Sequence, residues 1–127
     1  MKTLKDTKAY KEFIAAVFES LLWSSTDDNG DSLDSCTRDD IAADQQEEIE
    51  AHASSFFFRT WFYVDYEKGK TYGDLGHDFV MTINGHGVGF WEKSDWPIYH
   101  EFLTKVAKCY PAIESVCIGE NLYELLE

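Results

Sequence analysis

Residues 76–91 read GHDFVMTINGHGVGFW, and this stretch carries the main prediction about the fold. Two apolar runs flank the pair Asn84-Gly85, which is the strongest short-range signal for a β-hairpin. A two-residue turn would pair Ile83 with His86, whereas a four-residue loop would pair Ile83 with Val88. The register stays open, but either turn predicts two antiparallel strands.

Helical periodicity is found on both sides of this stretch. Apolar residues recur three and four positions apart over about residues 7–23, which predicts an amphipathic first helix. The same period predicts a second helix that begins between Arg38 and Asp44 and continues to about residue 66. Asp95-Trp96-Pro97 predicts the start of a third helix, because proline is well tolerated in a first helical turn.

The order of these elements predicts an α+β fold. Residues 115–118 and 122–126 have the composition of short strands, and they follow the predicted hairpin and the third helix. A small antiparallel sheet, made of the hairpin plus these C-terminal strands, would pack against about three helices. The chain has 127 residues, of which 44% are hydrophobic and 16% aromatic. That size and composition predict a single domain over residues 1–127.

Negative charge is concentrated in one segment. The net charge is −13, and residues 27–50 hold ten acidic residues against one basic residue, Arg38. This charge argues against direct binding of nucleic acid or of anionic membranes, and it favours a partner protein with a basic surface. Spaced carboxylates can also imitate the phosphates of DNA. The predicted partner-binding residues are Asp27, Asp28, Asp31, Asp34, Asp39, Asp40, Asp44, Glu47 and Glu48. The alternative is a solvated face that only keeps the protein soluble.

A second candidate site lies in the glycine-rich stretch. Histidine and aspartate side chains on a hairpin could bind a metal or act as an acid-base pair, which would make the protein a small metal-dependent hydrolase or a metal-binding protein. The candidate residues are His77, Asp78, Asn84 and His86. The alternative is that these side chains hydrogen-bond the backbone of the turn. The motifs of serine hydrolases, P-loop nucleotide-binding proteins and zinc proteases are absent from the sequence, so a non-enzymatic role without a cofactor is favoured.

Cysteine usage and hydropathy predict a cytoplasmic protein. The three cysteines are odd in number and form no CxxC pair, which argues against a secreted disulfide framework. Neither a signal peptide nor an apolar run of membrane-spanning length is recognisable in the sequence. Exposed aromatic residues such as Trp61 and Tyr63 also suggest homodimerisation as a further alternative.

The 76–91 stretch resembles a segment in a family of small acidic bacteriophage proteins with a GHDF...NGHGxGFW motif. The likeness extends to Leu22-Trp23-Ser24, to the Asp-rich segment after it and to residues 33–41. Here Ile83 stands where a basic residue is common in that family. The resemblance implies a phage origin, and hence the cytoplasm of a host cell. With the charge pattern, it predicts an accessory protein that binds and modulates or inhibits a host nucleic-acid-handling or defence protein.

Overall fold

The computed structural model describes residues 4–24, 33, 36–85, 89–113, 115–118 and 121–124. Four α-helices are present in these residues: α1 (Lys8–Trp23), α2 (Ala43–Thr60), α3 (Tyr72–Asn84) and α4 (His100–Ala107). Short 3₁₀ segments cover Leu4–Asp6, Arg38–Asp40 and Trp61–Tyr66, and two strands cover Ser115–Ile118 (β1) and Asn121–Glu124 (β2). Within the part of the chain that the structure describes, none of the helices has both the length and the apolar character needed to span a bilayer.

The first predicted helix is confirmed as α1. Thr7 is its N-cap, and the Thr7 hydroxyl accepts a hydrogen bond of 3.2 Å from the backbone N–H of Tyr10, which satisfies one of the donors that every helix leaves open at its start. The stripe of residues from Tyr10 to Leu22 that the periodicity indicated is buried. Local periodicity was sufficient to predict this element.

The predicted hairpin is wrong, because residues 76–84 belong to helix α3. Thr71 and Asp74 form a capping box at the start of α3, with Thr71 Oγ1 accepting from Asp74 N at 3.0 Å. Gly85 ends the helix with φ +68° and ψ 25°, a left-handed conformation that glycine adopts without steric cost. The Asn84-Gly85 pair therefore terminates a helix here instead of turning a hairpin.

The predicted α+β fold is also wrong, because the chain is mostly helical. In the described residues, strands are limited to two four-residue segments near the C-terminus. They pair antiparallel, with Ser115 opposite Glu124 and Ile118 opposite Asn121. Ile41 forms an isolated antiparallel bridge with Ile118 on the other edge of β1, so β1 is tied to the segment that leads into α2.

The other two predicted helices are present with shifted ends. Helix α2 stops at Thr60, and the chain continues as the 3₁₀ segment to Tyr66. The predicted helical run to residue 66 is therefore confirmed, although its last six residues form a 3₁₀ helix and not an α-helix. Helix α4 begins at His100 rather than at residues 95–97, which lie in turns.

The core is built around aromatic rings. Phe56 of α2 stacks on Phe79 of α3 with ring centroids 4.5 Å apart, and Phe90 lies 5.6 Å from Phe56. Phe90 in turn meets Trp96 edge-on at 5.3 Å. All four side chains are fully buried. Large rings supply much buried apolar area per residue, which explains how a chain of this size can form a hydrophobic core.

The buried carboxylate of Glu67 fixes the start of α4. It is only 3% exposed, and its oxygens accept hydrogen bonds from the backbone N–H groups of Ile98 (3.0 Å) and Tyr99 (2.9 Å). These donors precede α4 and have no partner within the helix. A negative charge at this position is also stabilised by the helix dipole. Glu67 therefore joins the 3₁₀ segment at 61–66 to α4.

We expect Glu67→Ala to lower the free energy of unfolding by about 2–3 kcal/mol, because two backbone donors at the start of α4 lose a charged acceptor. Glu67→Gln keeps one acceptor oxygen of similar shape and should lose distinctly less. Urea denaturation of the two variants and the wild type measures both values. Equal stability of Glu67→Ala and the wild type would contradict this capping role.

Candidate functional site

Five of the predicted acidic residues lie together at the start of α2. Asp44, Glu47 and Glu48 are three and four positions apart, so they share one face of the helix. Asp39 and Asp40 precede them in the 3₁₀ segment Arg38–Asp40. All five are exposed, and we call them the acidic face: Asp39, Asp40, Asp44, Glu47 and Glu48. The other predicted members, Asp27, Asp28, Asp31 and Asp34, lie outside the described residues.

The backbone beneath the acidic face is held by side-chain hydrogen bonds. The carboxylate of Asp40 accepts from the backbone N–H of Thr37 at 2.7 Å. Gln45 donates from Nε2 to the carbonyl of Ser115 at 2.7 Å and accepts at Oε1 from the N–H of Cys117 at 2.6 Å. These two bonds pair an α2 side chain with the edge of β1, in the way a neighbouring strand would. The acidic face is thus carried by an anchored segment.

Arg38, the basic residue within the acidic segment, packs against α1. Its guanidinium carbon lies 4.2 Å from the centroid of the Phe18 ring, in a cation–π arrangement. Its Nε donates to Gln46 Oε1 at 3.1 Å, and one terminal nitrogen forms an ion pair with Glu50. Arg38 and Glu50 therefore neutralise each other beside α1, and the outward charges of the segment are left negative.

Tyr10 completes this internal network. Its hydroxyl donates to Glu50 Oε2 at 2.7 Å. Burial alone would raise the pKa of Glu50, but the hydrogen bonds from Arg38 and Tyr10 outweigh burial and lower the pKa below its usual value. Burial and the bond to Glu50 raise the pKa of Tyr10. Glu50 is therefore ionised and Tyr10 neutral at physiological pH, which keeps the Arg38–Glu50 pair intact.

The described residues of the second candidate site bond to three different partners. His77 Nδ1 is 2.8 Å from Ser20 Oγ of α1, whereas Asp78 Oδ2 accepts from the indole N–H of Trp96 at 2.6 Å. Asn84 Oδ1 accepts from the backbone N–H of Ile113 at 2.8 Å. His86 lies outside the described residues. His77, Asp78 and Asn84 therefore contact three different parts of the fold.

The geometry gives Asp78 a role in the core. The residue is 9% exposed, and burial raises the pKa of its carboxyl, an effect that the hydrogen bond from Trp96 only partly offsets. Across the described positions, no three His, Cys, Asp or Glu side chains are grouped so that they could hold a metal ion. The described candidate residues, His77, Asp78 and Asn84, therefore give the metal or hydrolase alternative no geometric support.

A groove of about 990 Å³ runs along α1 between the start of α3 and Arg38. Its wall includes Phe18, Trp23 and His77. Two pairs of polar groups along it bond to each other, since Arg38 pairs with Glu50 and His77 with Ser20. These four groups are therefore less available to select a ligand.

Sequence reasoning missed the residues that position these sites. Trp96 was read only as a helix start, and Gln45 was not singled out, because both act through contacts distant in sequence. The capping box of Thr71 and Asp74 was a local signal that could have identified α3. Comparison with known proteins found no matching family model, curated protein or solved structure, so membership of the phage family stays a prediction.

Proposed function

We propose that this protein binds a partner protein with a basic surface through the acidic face. In this proposal it is a phage-encoded accessory protein, acting in the host cytoplasm, that modulates or inhibits a nucleic-acid-handling or defence protein. The observation that carries the proposal is the pairing of Arg38 with Glu50. Because Arg38 is engaged in this pair, it does not neutralise the five exposed acids of the acidic face, which form a negative surface. Such a surface steers a basic partner and repels acidic ones.

The arrangement on α2 also suits a mimic of DNA. Carboxylates three and four residues apart recur about every 5 Å along the helix axis. This spacing is of the same order as the axial rise of about 3.4 Å between phosphates of one strand. The hydrogen bonds from Gln45 to β1 hold the face in place, so that little conformational entropy is lost when a partner binds.

Charge reversal tests the proposal. We expect the triple variant Asp39→Lys, Glu47→Lys and Glu48→Lys to weaken binding of the partner at least about ten-fold at low salt, because favourable charge pairs become repulsive. Asp40 is left in place, since its carboxylate caps the 3₁₀ segment. The matched control reverses Glu19, Asp65 and Asp95, which are exposed elsewhere and change the net charge equally.

The experiment begins with the tagged protein as bait in a bacterial lysate, washed at low and then at high salt, and the captured protein is identified by mass spectrometry. Fluorescence anisotropy with a labelled DNA duplex then measures whether the purified wild type displaces that protein from DNA. Displacement by the wild type and the control, but not by the face variant, is expected. Equal capture by the face variant would rule out the acidic face as the binding surface. Capture without displacement would rule out DNA mimicry.

A further inference from the structure

A cluster of aromatic side chains lies on the surface at the far end of α2. Tyr63, in the 3₁₀ segment Trp61–Tyr66, has its ring centroid 4.3 Å from Phe62, 4.7 Å from Tyr99 and 4.8 Å from Phe102 of α4. Tyr66 is three residues beyond Tyr63, which is one turn of a 3₁₀ helix. We call the set the aromatic surface: Phe62, Tyr63, Tyr66, Ile98, Tyr99 and Phe102.

Most of the exposed large hydrophobic residues of the described chain lie on this surface. Of the six large hydrophobic residues that are exposed in the described residues, four belong to it: Phe62, Tyr66, Ile98 and Phe102. Tyr66 is 64% exposed and Ile98 59%. A contiguous exposed apolar patch marks a contact surface more often than scattered apolar residues do. Tyrosine and phenylalanine are also enriched in the centres of protein interfaces.

The charges beside the aromatic surface indicate which molecule binds there. On α4, exposed Glu101 precedes Phe102 in the sequence and exposed Lys105 follows it, four residues after Glu101. In a two-fold symmetric contact, residue i of one copy meets residue j of the other, and the reverse contact occurs as well. Two antiparallel copies of α4 with Phe102 near the axis would place Glu101 beside Lys105 of the partner subunit, twice.

The placement of the acidic face permits two such acidic chains to approach each other. The acidic face lies at the first turns of α2. The aromatic surface begins at Phe62, two residues beyond the last residue of α2, Thr60. A helix of 18 residues is about 27 Å long, whereas charges are screened over about 8 Å at physiological ionic strength. Two chains that meet at the aromatic surfaces therefore keep their acidic faces well apart.

We infer that a second copy of this chain docks on the aromatic surface and forms a two-fold symmetric dimer through α4. The dimer presents two acidic faces, so it would bind a repetitive or dimeric basic partner more tightly than a monomer does. The inferred contact differs from the homodimer suggested by the sequence, because Trp61 and Tyr63 are only partly exposed. Phe62, Tyr66, Ile98 and Phe102 are the exposed side chains of the aromatic surface and are available for the contact.

The test is sedimentation equilibrium of the full chain over a range of concentrations. The wild type should form a dimer, and Phe102→Glu should raise the dissociation constant at least about ten-fold, because it places two like charges at the axis. Trp23→Ser is the control, since Trp23 is also exposed, at 56%, but lies on α1. A wild type that stays monomeric at every concentration, or a dimer unaffected by Phe102→Glu, would overturn the inference.

Charge exchange tests the symmetry. Glu101→Lys and Lys105→Glu should each weaken the dimer, and the double variant should restore it, as should mixing the two single variants. A double variant as weak as the singles would overturn the antiparallel α4 contact. Capture of a partner by the acidic face is measured separately with the Phe102→Glu monomer. Failure of the dimer and failure of the proposed function are therefore distinguishable.

Discussion

Gly76→Ala is expected to destabilise the protein by about 3 kcal/mol, which is the upper part of the range for forcing an extra methyl into a packed core. A Cβ at Gly76 would lie 2.4 Å from the carbonyl oxygen of Phe13 and 3.2 Å from the backbone nitrogen of Val17. Both atoms belong to the backbone of α1, so the helix would have to move as a whole. This cost exceeds the gain of about 1 kcal/mol that alanine normally brings inside a helix.

Gly73→Ala is the matched control, because it makes the same chemical change on the same helix. At Gly73 the nearest atoms to an added Cβ are side-chain oxygens of Thr71 and Glu12, at 3.5 and 3.6 Å, which is ordinary van der Waals contact. Gly73→Ala should therefore leave stability unchanged or raise it slightly. Thermal and urea unfolding of the two variants measure the difference. If Gly76→Ala were as stable as Gly73→Ala, α1 and α3 could not be packed as closely as the structure shows.

Trp96→Phe should have an effect of similar size, about 3 kcal/mol of lost unfolding free energy. The substitution leaves a cavity in a fully buried position and removes the indole N–H that donates to Asp78 at 2.6 Å. Both the lost packing and the unpaired carboxyl destabilise the folded state. In an Asp78→Asn background the loss should be smaller at neutral pH, because an unpaired neutral amide costs less than an unpaired carboxylate. Equal losses in both backgrounds would show that the two side chains are not coupled.

The pH dependence of stability provides an independent measurement on the same pair. Burial raises the pKa of Asp78, so this carboxyl ionises at a lower pH in the unfolded chain than in the folded protein. Its contribution to the free energy of unfolding therefore decreases as pH rises from the unfolded pKa to the folded pKa, and it stays low above that window. Asp78→Asn lacks this contribution. The stability of Asp78→Asn relative to the wild type should rise over the window and be constant at higher pH.

Urea denaturation at a series of pH values, beginning near the ordinary aspartate pKa of about 3.9 and rising until the difference is constant, measures this effect. A difference between the variant and the wild type that does not change with pH would mean that Asp78 has the same pKa in both states. Together with Trp96→Phe, the experiment separates the charge of Asp78 from its hydrogen bond.

Internally bonded and freely exposed carboxylates have separate roles in this molecule. Glu67, Asp78 and Glu50 bond to an N-terminal turn, an indole and a guanidinium, respectively. Asp39, Glu47 and Glu48 of the acidic face are exposed. Reversing these three charges should therefore leave stability within about 0.5 kcal/mol, as is usual for surface substitutions, so that a loss of binding can be interpreted directly.

The sequence by itself determined the elements that depend on local signals. The periodicity from Tyr10 to Leu22 was sufficient to predict α1, and the period that begins near Ile41 was sufficient to predict α2 and its continuation. The ten acids between residues 27 and 50 predicted a negative surface, and five of the residues predicted there for partner binding are exposed. These predictions succeed because neighbours along the chain set both helical period and charge density.

Contacts between distant residues decided the rest. Asn-Gly supplies a positive φ that suits both a hairpin turn and the end of a helix. The close packing of Gly76 against Phe13 of α1 favours the helix, together with the capping box of Thr71 and Asp74. His77 meets Ser20, 57 residues away, and Asp78 meets Trp96, 18 residues away. Arg38 packs against α1 because the ring of Phe18 and the carboxylate of Glu50 both bind its guanidinium. A local pattern does not specify such pairings, because their free energy comes from burying faces that meet only in the folded chain.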